Sequence, residues 1–180
     1  MKRSLLLLLL LVLITSCSSS TSEERSPIES FAPCSSIKTT GMSADGLSVE
    51  CLDGQGELAI KSIEGPAVMS VWASWCSNCA AQRKNFIKLY QEAGDLLQVI
   101  GVDVEERSKQ IGYQHALENG LSFPQLYDPD GRTSQYFGPG VPITQFINKE
   151  GVLTFQKVGP IFTYEEMQDL VKEYLEIDIP

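Results

Sequence analysis

The chain has 180 residues, 43% hydrophobic and 21% charged, which is the balance of one globular domain with short additions and not of a disordered polymer. A formal net charge of -9 argues against a nucleic-acid partner, whose phosphates require clustered Lys and Arg.

Residues 1–16 read as a targeting segment outside the fold. Lys2 and Arg3 make a charged start, and the apolar run from Leu5 to Ile14 is too short to cross a bilayer as a helix. Ile14-Thr15-Ser16-Cys17 resembles a bacterial lipobox, which implies cleavage before Cys17 and its lipidation; an ordinary secretory signal with a chance cysteine is the alternative. Stable anchoring takes more than one acyl chain. Residues 17–32, rich in Ser, Thr and Glu, are expected to form a disordered tether, and residues 33–180 the domain.

Leu47 to Leu52 alternates like a half-buried strand, Asp53-Gly54-Gln55-Gly56 is a turn, and Glu57 to Ile60 can return as a second strand. Val68 to Trp72 is a β-prone apolar run behind Pro66, with the length of a buried strand. After a short turn the period changes: Phe86, Leu89, Tyr90 and Ala93 lie at i, i+3, i+4, i+7, and Gly94 ends the helix. Cys76 and Cys79 therefore sit at or just inside a helix N-terminus. Unpaired backbone N–H groups and the macrodipole there favour an anion, so a Cys76 thiolate is expected to be stabilised relative to a free thiol at about 8.5. Cys79, three residues on, can close a disulfide with Cys76, so Cys76 can attack a substrate disulfide and Cys79 resolve the product. Zinc would need four ligands, and the chain offers one histidine and no second C-x-x-C.

The stretch Trp72-Ala73-Ser74-Trp75-Cys76-Ser77-Asn78-Cys79 resembles the W-A-x-W-C-x-x-C of thioredoxin-fold proteins, most of all the TlpA/ResA/DsbE-like extracytoplasmic branch. The likeness runs from about Leu47 to the C-terminus. It implies an α/β thioredoxin-like sandwich: a central mixed β-sheet, helices on both faces, and the 47–60 hairpin as an N-terminal extension. It implies a Cys76–Cys79 redox disulfide with Trp75 beside it. There are two departures. Asn78 stands where the branch carries proline, and its retained N–H is expected to donate to the Cys76 thiolate. Ser70 stands where thioredoxin carries a buried aspartate. With Cys17 lipidated and Cys76 paired to Cys79, Cys34 and Cys51 remain and are expected to form a structural disulfide. Two unpaired thiols, or a resolving role for one of them, are the alternatives.

Leu96 to Val102 is the next buried strand, followed by a helix over about Ser108–Glu118 that Asn119-Gly120 stops. In ResA-like proteins an acid just past this strand lies near the cysteine pair. Glu106 matches it, with Glu105 one register away, and the implied role is proton acceptor for Cys79; a solvated loop charge is the alternative. His115, inside the helix, is expected to be a packing or surface residue on a helix lying away from the cysteines. A short strand near Phe123–Asp128, a short helix at Gln135-Tyr136-Phe137 and a hairpin over Thr144–Val158 follow, and Thr163-Tyr164-Glu165-Glu166 is a capping box opening a last helix. Gly140-Val141-Pro142-Ile143-Thr144-Gln145-Phe146-Ile147-Asn148 resembles the branch's G-V-P-T-T-F-L-I-D. That likeness implies a cis Pro142 facing the cysteines, with Val141 and Pro142 binding an extended substrate by β-augmentation.

The reading is a lipid-anchored, monomeric, extracytoplasmic thiol–disulfide oxidoreductase of a bacterial membrane, requiring no separable cofactor or metal. Its implied partners are protein thiols and disulfides, with a membrane thiol transporter or an oxidant as redox partner. Reduction, for example of apocytochrome c cysteines, leads; oxidation of secreted thiols is the alternative. A copper-binding chaperone would use a distal histidine that His115 does not provide. A thiol peroxidase would need a Thr two residues before an isolated cysteine, where Ser74 stands.

Overall fold

The computed structural model describes residues 27–40 and 46–180. Cys17, the segment 1–16 and most of the expected tether lie outside the described residues. The packed chain already begins at Ile28, ahead of the expected start at 33. The Ile28 N–H donates to Leu117 O at 3.1 Å, the Ala32 N–H to Ser122 O at 2.8 Å, and Phe31 is buried.

Seven strands among the described residues form one sheet: β1 (Ser48–Cys51), β2 (Glu57–Ala59), β3 (Ala67–Trp72), β4 (Gln98–Val104), β5 (Gln125–Asp128), β6 (Ile143–Ile147) and β7 (Leu153–Val158). The spatial order is β2-β1-β5-β4-β3-β6-β7. β3, β4 and β5 run parallel; β1 joins β5, and β6 joins β3, antiparallel. The parallel strands β3 and β4 are buried along nearly their whole length, which is why both read as near-continuous apolar runs. The expected start of β4 at Leu96 is a 3-10 turn, Gly94–Leu96, and the strand runs two residues further, to Val104.

Helices α1 (Ser77–Ala93), α2 (Lys109–Glu118) and α4 (Tyr164–Leu175) cover one face, packing Phe86, Leu89, Ala116, Met167 and Val171 on Val68, Val99 and Phe146. The four-residue α3 (Ser134–Phe137) and the segment around Cys34 and Ile37 cover the other, over Met69, Val71, Ile100, Val102 and Ile143. Cys34 and Cys51 are joined in a disulfide, Cα to Cα 5.7 Å, which ties that segment to β1.

α1 buries polar residues on its inner face. Gln82 donates to Ser70 Oγ (3.4 Å) and accepts from the Ile161 N–H (3.1 Å), and Asn85 donates to Ile161 O (2.8 Å). These bonds satisfy a backbone unit buried between β7 and α4, which could not otherwise leave water at low cost. At α4 the Thr163 side chain accepts the Glu166 N–H, while Glu166 reaches back to the Phe162 N–H, one residue earlier than a standard capping box.

Candidate active site

The C-terminal ends of β3 and β4 and the entry to β6 meet at one edge of the sheet. β3 delivers the turn Ala73–Cys76, β4 the loop Glu105–Ser108, and β6 is preceded by Pro142. Since Ile143 pairs with Val71, Pro142 stands level with Trp72. The Val141–Pro142 peptide bond is cis. A second cis bond, Gly65–Pro66 before β3, was not expected; a Cβ at Gly65 would meet Asn148 O at 1.8 Å, so the β6–β7 turn closes on that glycine.

Cys76 is the N-cap of α1, and its Sγ accepts the Cys79 N–H at 3.0 Å. In the Cys76–Cys79 disulfide the donor is thus the backbone N–H of the third helical residue, the usual partner of a capping side chain, and not that of Asn78. The expected Asn78 donor is corrected accordingly. Cys76 and Cys79 are joined in a disulfide, Cα to Cα 5.2 Å, and both are buried, 7% and 5% exposed. Area hardly separates them; their surroundings do. Cys76 takes the N-cap bond. Cys79 backs onto a small cavity lined by Ser70, Trp72, Ala73, Gln82, Arg83 and Leu121.

Trp75 is 57% exposed, and its Nε1 donates to Glu105 O at 3.2 Å. Trp75 and Val141 line one shallow cleft with Val71, Val104, Glu105 and Phe137. Pro142 is buried, and its carbonyl accepts the Gly159 N–H at 2.9 Å.

The two glutamates divide. Glu105 is exposed with φ +55°, a left-handed turn that lets the chain leave β4 abruptly. Glu106 turns inward, buried, and accepts the Ser74 N–H two residues before Cys76. It is therefore not a solvated loop charge. Behind it lies Asp103, fully buried, which the sequence reading passed over; an acid inside the apolar run Gln98–Val104 was the available signal. Burial, and then the Glu106 carboxylate, push Asp103 up to about 9.

His115 is half-buried, as a packing residue would be, but α2 does not lie away from the cysteines. His115 stacks on Trp72 (centroids 5.5 Å) and its Nε2 contacts Arg83 at 2.9 Å, because the parallel β4–α2–β5 crossover returns α2 to the face that α1 covers. Burial and then Arg83 hold His115 below its ordinary value, so the ring accepts from the guanidinium. Trp72 is fixed from the far side by Gln125, whose Oε1 accepts its Nε1 at 2.9 Å. Cys17 is not among the described residues.

The chain matches the model of the AhpC/TSA family over residues 40–156. It is 32% identical over 114 residues to the thiol:disulfide interchange protein DsbE of Yersinia pestis, covering 61% of this chain and 58% of that one. It is 28% identical over 131 residues to the thioredoxin-like protein YneN of Bacillus subtilis, 71% and 76% of the two chains. The chain thus spans less than two thirds of the Yersinia protein. Among solved structures, a DsbF homologue from Corynebacterium diphtheriae superposes with TM-score 0.63 at 22% identity, over 76% of this chain and 90% of that one. The exposed lipoprotein thioredoxin of Streptococcus pneumoniae superposes with TM-score 0.54 at 26% identity, over 71% and 98%. The fold is thioredoxin-like.

Proposed function

Because the chain belongs to the AhpC/TSA family, we propose that it is a thiol–disulfide oxidoreductase working through Cys76 and Cys79. One observation carries the reading: a helix N-cap sulfur, Cys76 Sγ, accepts the Cys79 N–H at the strand edge where Pro142 enters. A thiolate released there keeps that N–H and the positive end of α1, both of which stabilise the anion. The reduced Cys76 attacks a substrate disulfide, breaking its S–S bond and releasing one substrate thiolate. Cys79, losing its proton to Glu106, then attacks Cys76 in the mixed disulfide and releases the second. Two electrons pass to the substrate, and the Cys76–Cys79 disulfide forms. Val141 and Pro142 hold an extended substrate chain beside Cys76, and Trp75 walls the cleft.

The protein acts outside the cytoplasm, anchored through lipidated Cys17 and a tether, with Cys34–Cys51 as its structural disulfide. Its substrates are protein disulfides, and reduction, as of apocytochrome c cysteines, is the leading direction; a membrane thiol transporter returns the electrons. The names of the relatives support interchange chemistry. Oxidation of secreted thiols is separated from reduction by the potential of the pair. A value near -270 mV makes it a reductant and one near about -120 mV an oxidant.

The test is disulfide exchange by purified protein against a glutathione couple. Cys76→Ser should abolish turnover, and Cys79→Ser should trap the mixed disulfide. Turnover that persists in Cys76→Ser removes the proposal. Mass spectrometry of the N-terminal peptide from native membranes checks the lipid on Cys17.

A further inference from the structure

The buried carboxyl of Asp103 has no part in the exchange chemistry above, yet it stands directly behind that site. It is 0% exposed, and neither oxygen receives a hydrogen bond from any described residue. Its neighbours are Trp72 across the sheet on β3, Tyr127 across the sheet on β5, the backbone of α2 at Gly112, and Glu106. The α2 contact is close: a Cβ at Gly112 would meet Asp103 Oδ2 at 1.7 Å. Glu106 is the other acid, and it already accepts the Ser74 N–H. A carboxylate at Asp103 would be buried, unpaired and beside a second carboxylate, which is the costliest arrangement available. A carboxylic acid there resolves all three problems, because its O–H can donate to Glu106.

We propose that Asp103 is a positioning residue for the redox pair: as a neutral acid it donates a hydrogen bond to the Glu106 carboxylate and holds that carboxylate on the Ser74 N–H, fixing the turn that presents Cys76. The proton stays on Asp103 because Asp103 is the deeper of the two and Glu106 has the N–H. Burial and Glu106 together raise Asp103 to about 9, so the acid form persists through neutral pH and is lost near that value. Of the other groups nearby, Tyr127 is held neutral chiefly by burial. His115 is kept neutral by burial and by Arg83. Neither supplies a competing charge step between neutral pH and about 9. The role in exchange rests on the Cys76–Cys79 reading; the bond to Ser74 does not.

The test uses the oxidised full chain first, so that it is independent of turnover. The Ser74 amide resonance should lie downfield at neutral pH and move with a midpoint of about 9 in the wild type. In Asp103→Asn, whose side-chain amide still donates to Glu106, that transition should vanish while the neutral-pH shift is kept. In Glu106→Gln the downfield shift itself should be reduced. A protonated-carboxyl stretch in the infrared spectrum should be present at neutral pH and missing in Asp103→Asn. An unmoving Ser74 resonance, or a transition that survives in Asp103→Asn, overturns the proposal. For exchange, Asp103→Leu should slow turnover about tenfold or more, as expected for loss of a hydrogen bond to a charged group, with Asp103→Asn restoring it to within about threefold. Equal rates for Asp103→Leu and wild type overturn the positioning role. Failure of Cys76→Ser to abolish turnover, with the Ser74 transition intact, instead overturns only the redox reading.

Discussion

At Cys76 the decisive contact is a single backbone N–H. Its donor is Cys79, the third residue of α1, and the residues between the cysteines present their side chains to solvent. Proline at position 78 would delete the Asn78 N–H, which is not the one that reaches Cys76. Asn78→Pro is therefore expected to change the Cys76–Cys79 potential by less than about 30 mV, below the equivalent of one 1.4 kcal/mol contact. Equilibration with glutathione reads this directly, and a fall of about 60 mV would return the role to Asn78. The cysteines themselves were legible from spacing alone, because a helix start following a buried strand is a local pattern. The N–H that serves them was not, since choosing between the second and third helical residues depends on the φ and ψ of the N-cap. Glu106 was placed by resemblance. Its bond to Ser74 brings together residues 32 apart, a distance no local pattern spans.

Among the elements, α2 shows how a weakly patterned helix is fixed by what lies beneath it. Only Gly112 and Ala116 on it are buried, and at Gly112 the helix comes directly against the Asp103 side chain of β4. Helix propensity alone favours Gly112→Ala by about 1 kcal/mol. The added methyl, however, would meet Asp103 Oδ2 at 1.7 Å, and overpacking of this kind costs about 1–3 kcal/mol. The clash should at least offset the propensity gain, giving net destabilisation of up to about 2 kcal/mol. In the double variant with Asp103→Ala the carboxyl is gone, and Gly112→Ala should become neutral or stabilising. Denaturant unfolding of the four-member cycle measures this; additive effects would show that Gly112 and Asp103 do not touch. The helix was readable from its boundaries, Ser108 and Asn119-Gly120. Its contact with the site was not, because His115 and Gly112 acquire their neighbours only once the crossover has closed.

Across the whole molecule, the segment around Cys34 has little structure of its own: a single 3-10 turn, with Cys34 and Ile37 as its buried residues. The Cys34–Cys51 disulfide closes a separation of 17 residues and pins this segment over the second face of the sheet. In the chain-entropy model a loop of that size is worth about 3 kcal/mol. Replacing both cysteines with serine should lower unfolding free energy by about 2–5 kcal/mol while leaving the potential of Cys76–Cys79 unchanged. A shifted potential would mean that the second face reaches the redox pair. What the sequence determined without help was periodic or punctuated: the apolar strands β3 and β4, the helix starts and stops, and the C-x-x-C at a helix N-terminus. Each depends on neighbours within a few residues, where backbone geometry sets the pattern. The tertiary structure alone decided which polar groups went inside. Gln82, Asn85, Gln125 and Glu106 are buried because distant backbone units or side chains complete their hydrogen bonds, and Asp103 is buried with neither oxygen hydrogen-bonded by a described residue. In sequence they look like the solvated residues beside them, because burial of a polar group depends on a partner and the partner is chosen by the fold.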